Sequence, residues 1–172
     1  MRPTHIHQPD DAVEQLGPAD AGEVLTLQRA AFVTEAQTHN DPMLPPLLQS
    51  LDELRAELDR STVRAWGIRE AGRLIASVRL ELDGTVARLG RASVAPDRQG
   101  RGVGTRLLRA AEDQVPGTIT AIELFTGEHS SANLRLYRRL GYVEFHRSPH
   151  GAYELVHMRK DLARPAHPKP TL

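Results

Sequence analysis

The sequence predicts a mixed α/β fold, one sheet with helices on both faces, and three observations carry that reading. Apolar residues recur at helical spacing between Asp20 and Ala36, at Val24, Leu27 and Ala31. From Val63 to Val94 the pattern turns strand-like, with Asp83-Gly84 as a hairpin signal. Helical spacing returns at Val103, Leu107, Leu108 and Ala111, one apolar stripe with Arg106, Arg109, Glu112 and Asp113 mostly off it.

The elements follow in order. Asp20 is a plausible N-cap for the first helix. Gln37 to Ser50 contains Pro42, Pro45 and Pro46, a density that denies the backbone a helix. A second helix at about Leu51 to Asp59 places Leu51, Leu54 and Leu58 on one face. Strands at Ala65 to Arg69, Leu74 to Leu82 and Val86 to Val94 form a meander joined at Glu70-Ala71-Gly72-Arg73 and Asp83-Gly84. The third helix runs from about Gly102 to Gln114 and stops at Pro116-Gly117. Thr118 to Thr126 reads as a buried strand, and Ser131 to Leu140 as a helix with Gly141 just past its end. Tyr142 to His146 and Tyr153 to Arg159 alternate as a closing hairpin. Residues 1–163 read as one domain with 1–9 loosely ordered, and 164–172 as a flexible tail.

Composition narrows the chemistry. No cysteine is present, which excludes disulfides, thiolate zinc sites and cysteine nucleophiles. Lys+Arg and Asp+Glu both number 22, and a chain of zero formal charge is not built to neutralise nucleic-acid phosphates. No apolar run approaches the roughly 18 residues of a membrane span, and Met1 to Asp11 is polar. The expectation is a cytoplasmic protein without a membrane partner. Arg91, Arg98, Arg101, Arg106 and Arg109 nevertheless crowd into one stretch, which suits a small anionic ligand.

That stretch contains the most informative residues. In Gln99-Gly100-Arg101-Gly102-Val103-Gly104, three glycines alternate between a strand and an amphipathic helix. Glycine permits positive φ and close backbone approach, and the helix start adds free N–H groups and a positive dipole end. The arrangement suits a phosphate. A P-loop would need a Lys after Gly104, where Thr105 stands. A dinucleotide fingerprint would need a third glycine where Thr105 stands and a first βα unit rather than a meander.

The six residues resemble the Q/R-x-x-G-x-G/A signature of the GNAT superfamily of N-acetyltransferases. Residues 63–160 follow its order of elements, and Asn133-Leu134-Arg135-Leu136-Tyr137-Arg138-Arg139-Leu140-Gly141-Tyr142 resembles its second cofactor segment. The resemblance implies an α/β fold of the α+β type, a mostly antiparallel mixed sheet of six to seven strands. It implies acetyl-CoA as cofactor and acetyl transfer to a primary amine of a small molecule or peptide. Backbone groups of Ser93, Val94 and Ala95 would pair with the pantetheine arm, and Gln99 to Gly104 with Thr105 would hold the pyrophosphate. The Val94 amide would also hold the developing oxyanion. Tyr137 matches the family's general acid, its alternative reading being a core aromatic.

Glu123 matches a position where some relatives carry a base, the alternative being a buried ion pair with an Arg. Glu81, Asp83 and His129 are weaker candidates. Two features depart from the family. The strand Val86 to Arg91 carries no acid, and Arg88 there is either a holder of an acceptor carboxylate or a solvent-facing cation. Ser130 stands where an Asn is frequent, with Asn133 one turn on and still placed to reach the cofactor. The acceptor site in this family is built largely by the segment joining the first two helices, here Gln37 to Pro46. A non-catalytic acyl-CoA-binding module and an enzyme using another acyl-CoA stay open beside acetyl transfer. A homodimer through the final hairpin, Tyr142 to Arg159, is also open.

Overall fold

The computed structural model describes residues 12–163; the expectations for 1–9 and 164–172 lie outside them. The chain runs β1 (Val13–Leu16), a 3₁₀ turn (Pro18–Asp20), α1 (Ala21–His39), α2 (Pro45–Leu48), α3 (Leu51–Asp59), β2 (Val63–Glu70), β3 (Arg73–Asp83) and β4 (Val86–Val94). A second 3₁₀ turn (Pro96–Arg98) leads to α4 (Val103–Asp113), β5 (Ala121–Gly127), α5 (Ser131–Arg139), β6 (Val143–His150) and β7 (Tyr153–Asp161). The strands form one sheet in the order β1-β2-β3-β4-β5-β7-β6, with β4–β5 its parallel pair and the rest antiparallel. Helices α1 and α3 cover one face, and α4 the other with α5 beside it. No helix among the described residues is long and apolar enough to cross a membrane.

Most elements lie within three residues of their expected ends, and four details differ. Strand β1 was not expected: four residues, of which Leu16 alone is buried, show no alternation, and its place at the sheet edge comes from pairing with β2. Asp20 stands at the N-cap of α1, but its side chain makes no cap hydrogen bond. Its carboxylate accepts from the Gly17 amide at 2.9 Å and from Arg69 Nη2 at 3.0 Å. The proline segment holds a short helix after all, because α1 continues to His39 and α2 starts with prolines in its first turn. There the missing N–H has no intrahelical partner to lose. Finally, β6 continues to His150 rather than stopping at His146.

The feature that makes the site is a split in the sheet. β4 pairs with β5 only from Val86–Arg88 to Ala121–Glu123, and beyond that the strands part. The cause is in β4. Gly90 pairs with Arg79 and Ser93 with Ser77, so two residues, Arg91 and Ala92, oppose Val78 alone. This is a β-bulge, and a bulge bends its strand. Arg91 takes φ 55°, a left-handed conformation normally left to glycine at such a position.

Candidate active site

The opening between β4 and β5 continues into a groove of about 780 Å³ that reaches from the start of α4 to α2 and α3. At one end lies the glycine loop. Gly100 and Gly102 have φ 74° and 76°, backbone that a side chain would strain by about 1–2 kcal/mol. Gly102 leads into α4, and no side chain caps it. Arg106 N takes the Gly102 carbonyl, so the amides of Val103, Gly104 and Thr105 have no intrahelical partner. With the dipole behind them they suit an anion. The approach to the loop is pinned by Arg73, whose two Nη atoms each lie 2.8 Å from an Asp97 oxygen, and by Arg98 Nε, 2.5 Å from Glu70 Oε2. The Arg73 hydrogen bonds hold the Asp97 carboxyl down at about 2.

Val94 stands where the strands have parted. Ala95 N donates to Ile75 O at 2.8 Å, so strand alternation turns the Val94 amide away from β3 and into the opening. The Val94 carbonyl accepts from Gln99 Nε2 at 3.1 Å. Across the opening, Tyr137 is buried but lines the groove, and its hydroxyl has no hydrogen-bond partner among the described residues. Burial, and then the field of Glu35, pushes it up to about 12. Its ring meets Tyr142 edge-on at 5.9 Å.

Of the expected cofactor residues, all but Ala95 and Arg101 line the groove. The Ala95 amide is spent on β3, and Arg101 is exposed outside the groove. Glu123 does not line it either. It sits in the paired part of β5, where Arg159 Nη1 donates to it at 2.7 Å, the ion-pair alternative. Arg88 is likewise paired, with Asp83 at 2.9 Å, and exposed. Glu81 is held by Arg60 at 2.8 Å, and the exposed His129 lies 3.7 Å from Glu128. The arginine cluster is dispersed. Arg101, Arg106 and Arg109 are exposed, and Arg91 lies at the other end of the groove.

Several groove residues carried no sequence signal. Glu35 of α1 accepts from Asn133 Nδ2 at 3.0 Å and from the Ser130 hydroxyl, tying α1 to the start of α5. His39, in the last turn of α1, places Nδ1 3.1 Å from Glu35 O and buries Nε2 without a hydrogen-bond partner among the described residues. A Cβ at Gly127 would fall on this imidazole, so the glycine is needed for the close approach. At the far end Arg79 is buried. Its Nη2 donates to Gln28 Oε1 at 2.9 Å, and its Nε stands 2.9 Å from Glu57 Oε1 at an angle that misses a hydrogen bond. Burial brings Arg79 down to about 10. A contiguous motif reveals the glycine loop, whereas these residues come from four separate elements.

The fold is that of known acetyltransferases. Ribosomal-protein-S18-alanine N-acetyltransferase from Escherichia coli superposes with a TM-score of 0.73 at 17% identity, covering 91% of this chain and 97% of that one. The PaiA N-acetyltransferase from Thermoplasma acidophilum, solved in complex with coenzyme A, gives 0.71 at 18% identity, with 88% and 99% covered. The yncA protein of Salmonella typhimurium, solved with its cofactor acetyl-CoA, gives 0.73 at 17% identity, with 94% and 99% covered. No curated protein matches the sequence. The profile of the Acetyltransferase (GNAT) family matches residues 24–142, a span that holds both the glycine loop and Tyr137. The chain therefore belongs to the GNAT family of acetyltransferases.

Proposed function

We propose that this protein is an N-acetyltransferase that moves an acetyl group from acetyl-CoA to a primary amine of a small molecule or peptide. The observation that carries the reading is the parted β4–β5 pair. It leaves the Val94 amide and the Tyr137 hydroxyl on one groove with the glycine loop. The family match and the two neighbours solved with coenzyme A or acetyl-CoA support acetyl-CoA as the cofactor. Its fit to these residues rests on the uncapped amides and the open strand edge.

Acetyl-CoA supplies a thioester carbonyl that a neutral amine attacks, the C–S bond breaking to leave the CoA thiolate. The amides of Val103, Gly104 and Thr105 hold the pyrophosphate, with Gly100 and Gly102 shaping the turn. Val94 and its neighbours along the β4 edge hold the pantetheine arm as an added strand would. The Val94 amide donates to the carbonyl oxygen as charge grows on it. Tyr137, kept protonated by its burial, gives its proton to the leaving sulfur. Glu123 is engaged by Arg159, so the proton lost by the amine goes to water in the groove, and water returns a proton to the Tyr137 oxygen. We place the protein in the cytoplasm. We place a homodimer contact on the β6–β7 hairpin, where Val143 and Phe145 are exposed.

The test is release of free thiol from acetyl-CoA over a panel of amines, read with coenzyme A binding by calorimetry. Turnover above hydrolysis with at least one amine is expected. Tight binding without turnover on any amine would leave a non-catalytic acyl-CoA-binding module in its place.

A further inference from the structure

We propose that the acceptor is a small amine bearing a carboxylate, of amino-acid type, and that Arg91 is the residue that binds the carboxylate. The proposal rests on the acetyltransferase reading above and deepens it.

The first argument is charge. Arg91 lines the groove, and its guanidinium has no hydrogen bond or ion pair with any described residue. The carboxylates that line the groove are all engaged. Glu57 faces Arg79 at 2.9 Å and accepts from Gln49 Nε2 at 2.5 Å. Glu81 is taken by Arg60, and Glu35 by Asn133 and the Ser130 hydroxyl. Arg79 and Arg91 thus share the field of one carboxylate, Glu57, and it is Arg79 that holds it. Arg91 is also partly buried, and burial lowers its pKa, with only the field of Glu57 acting the other way. A desolvated cation without a counterion is costly unless something completes it. A guanidinium is matched best by a carboxylate, which it grips with two parallel bonds.

The second argument is backbone. Arg91 occupies the left-handed position of the bulge, where glycine would cost nothing. A bulge re-aims the side chain it carries, and strain of this kind is found where a side chain has a task. The same bulge opens β4 from β5, so one deformation makes the groove and places an unpaired cation on its wall.

The third argument is position. Arg91 lies three residues before Val94 on β4, at most about 10 Å of strand, and the bulge shortens it. A long Arg side chain spans much of that distance. An amine near the Val94 amide and an anion at Arg91 therefore belong to one small molecule. Leu44, Pro45 and Pro46 of the α2 segment supply an apolar wall at this end for its side chain. A polyamine would instead bring positive charge to an unpaired cation and is disfavoured.

Matched pairs test this. Thiol release is measured with amino acids and with their carboxamides, which present the same amine without the charge. The carboxamide amine is less basic and more of it is neutral at pH 7.5, so reactivity alone favours the carboxamide. The expected result is a kcat/KM at least about tenfold higher for the carboxylate form, roughly 1.4 kcal/mol of recognition. Aminomethylphosphonate run beside glycine separates a carboxylate from another anion, and glycine is expected to win. In Arg91→Gln the preference disappears while coenzyme A affinity stays within twofold, and Arg91→Lys restores part of it. Equal rates for acid and amide, a phosphonate preference, or an equal loss on both in Arg91→Gln would overturn the proposal.

A second readout needs no turnover. Calorimetry with coenzyme A present compares N-acetyl amino acids with their amides on wild type and Arg91→Gln. Arg91-dependent binding of the acid without any thiol release would sink the enzymatic reading and keep the carboxylate site. Turnover of amines with no carboxylate preference would do the reverse.

Discussion

The two ends of the groove recognise their ligands by different means. The cofactor end presents backbone: uncapped amides at the start of α4, two left-handed glycines, and the Val94 amide at an unpaired strand edge. Of its charged side chains, Arg73 and Asp97 tie the loop down from outside and are about half exposed, while Arg98 lines the groove but is engaged by Glu70 and Asp97. The acceptor end presents side chains: Arg79, backed by Gln28, is buried, and Glu57 and Arg91 are partly so. Backbone recognition fits a ligand whose phosphates and amides are always the same. Side-chain recognition fits a partner that differs between members of one fold, because substitution there leaves the sheet intact.

Between the ends sits Tyr137, and its removal should have the largest effect. Tyr137→Phe keeps the ring and its contact with Tyr142 and takes away only the proton donor. We expect kcat to fall about 100-fold, with acetyl-CoA affinity within twofold. Steady-state rates and calorimetry read this, and an unchanged kcat would remove Tyr137 from the chemistry. With the hydroxyl held near 12 by burial, Tyr137 is protonated at every pH below that value. Its own titration therefore produces no fall in kcat between pH 7 and 10.

The contrast between the ends is sharpened by Gly102→Ala and Arg101→Ala. A Cβ at Gly102 meets nothing within 4 Å, so its penalty is conformational alone. A penalty of about 1–2 kcal/mol predicts coenzyme A binding weakened by roughly tenfold. Arg101→Ala deletes a whole charged side chain outside the groove and should change affinity less than twofold. If calorimetry ranks the two the other way, the cofactor end works through side chains and the comparison fails.

At the acceptor end the matching change goes against function and toward stability. Arg91→Gly removes a strained backbone position and an unpaired, partly buried cation. A gain of about 1 kcal/mol in unfolding free energy is expected, read from the urea midpoint. A loss would mean that the Arg91 stem supports the fold by packing, and the strain would need another explanation.

The same contrast explains what the sequence makes legible. The glycine loop is six consecutive residues, so its chemistry is written locally. The helix carrying Tyr137 is set by short-range spacing, with Gly141 at φ 93° to end it. The meander is legible from turn residues. The acceptor end has no such compactness: Gln28, Gln49, Glu57, Arg79 and Arg91 span over sixty residues and meet only through tertiary packing. The bulge is hidden for a further reason. Arg91 sits where local preference calls for glycine, and the glycine that hints at an irregular strand is its neighbour Gly90. For Glu123 the sequence leaves a base and an ion pair side by side, because the partner, Arg159, lies on a strand far along the chain and is brought opposite only by the sheet.

The smallest expected effect belongs to the exposed tie of the cofactor end. Asp97 has a folded pKa of about 2 against an ordinary 3.8, lowered chiefly by its hydrogen bonds to Arg73. A lowered pKa means that the unfolded chain takes up the proton first. The contribution of Asp97 to stability is therefore complete above about pH 4 and lost as pH falls through about 2. Asp97→Asn removes that dependence, so the wild type and variant stability curves should converge in this window and run parallel above it. Solvent screens an exposed pair, so the gap at neutral pH should be slight and narrow further in high salt. Coenzyme A affinity should drop at most a few-fold, because the bond positions the loop without touching the ligand. A large, salt-insensitive loss of affinity would place Asp97 among the groups that hold the cofactor and blur the division between the two ends.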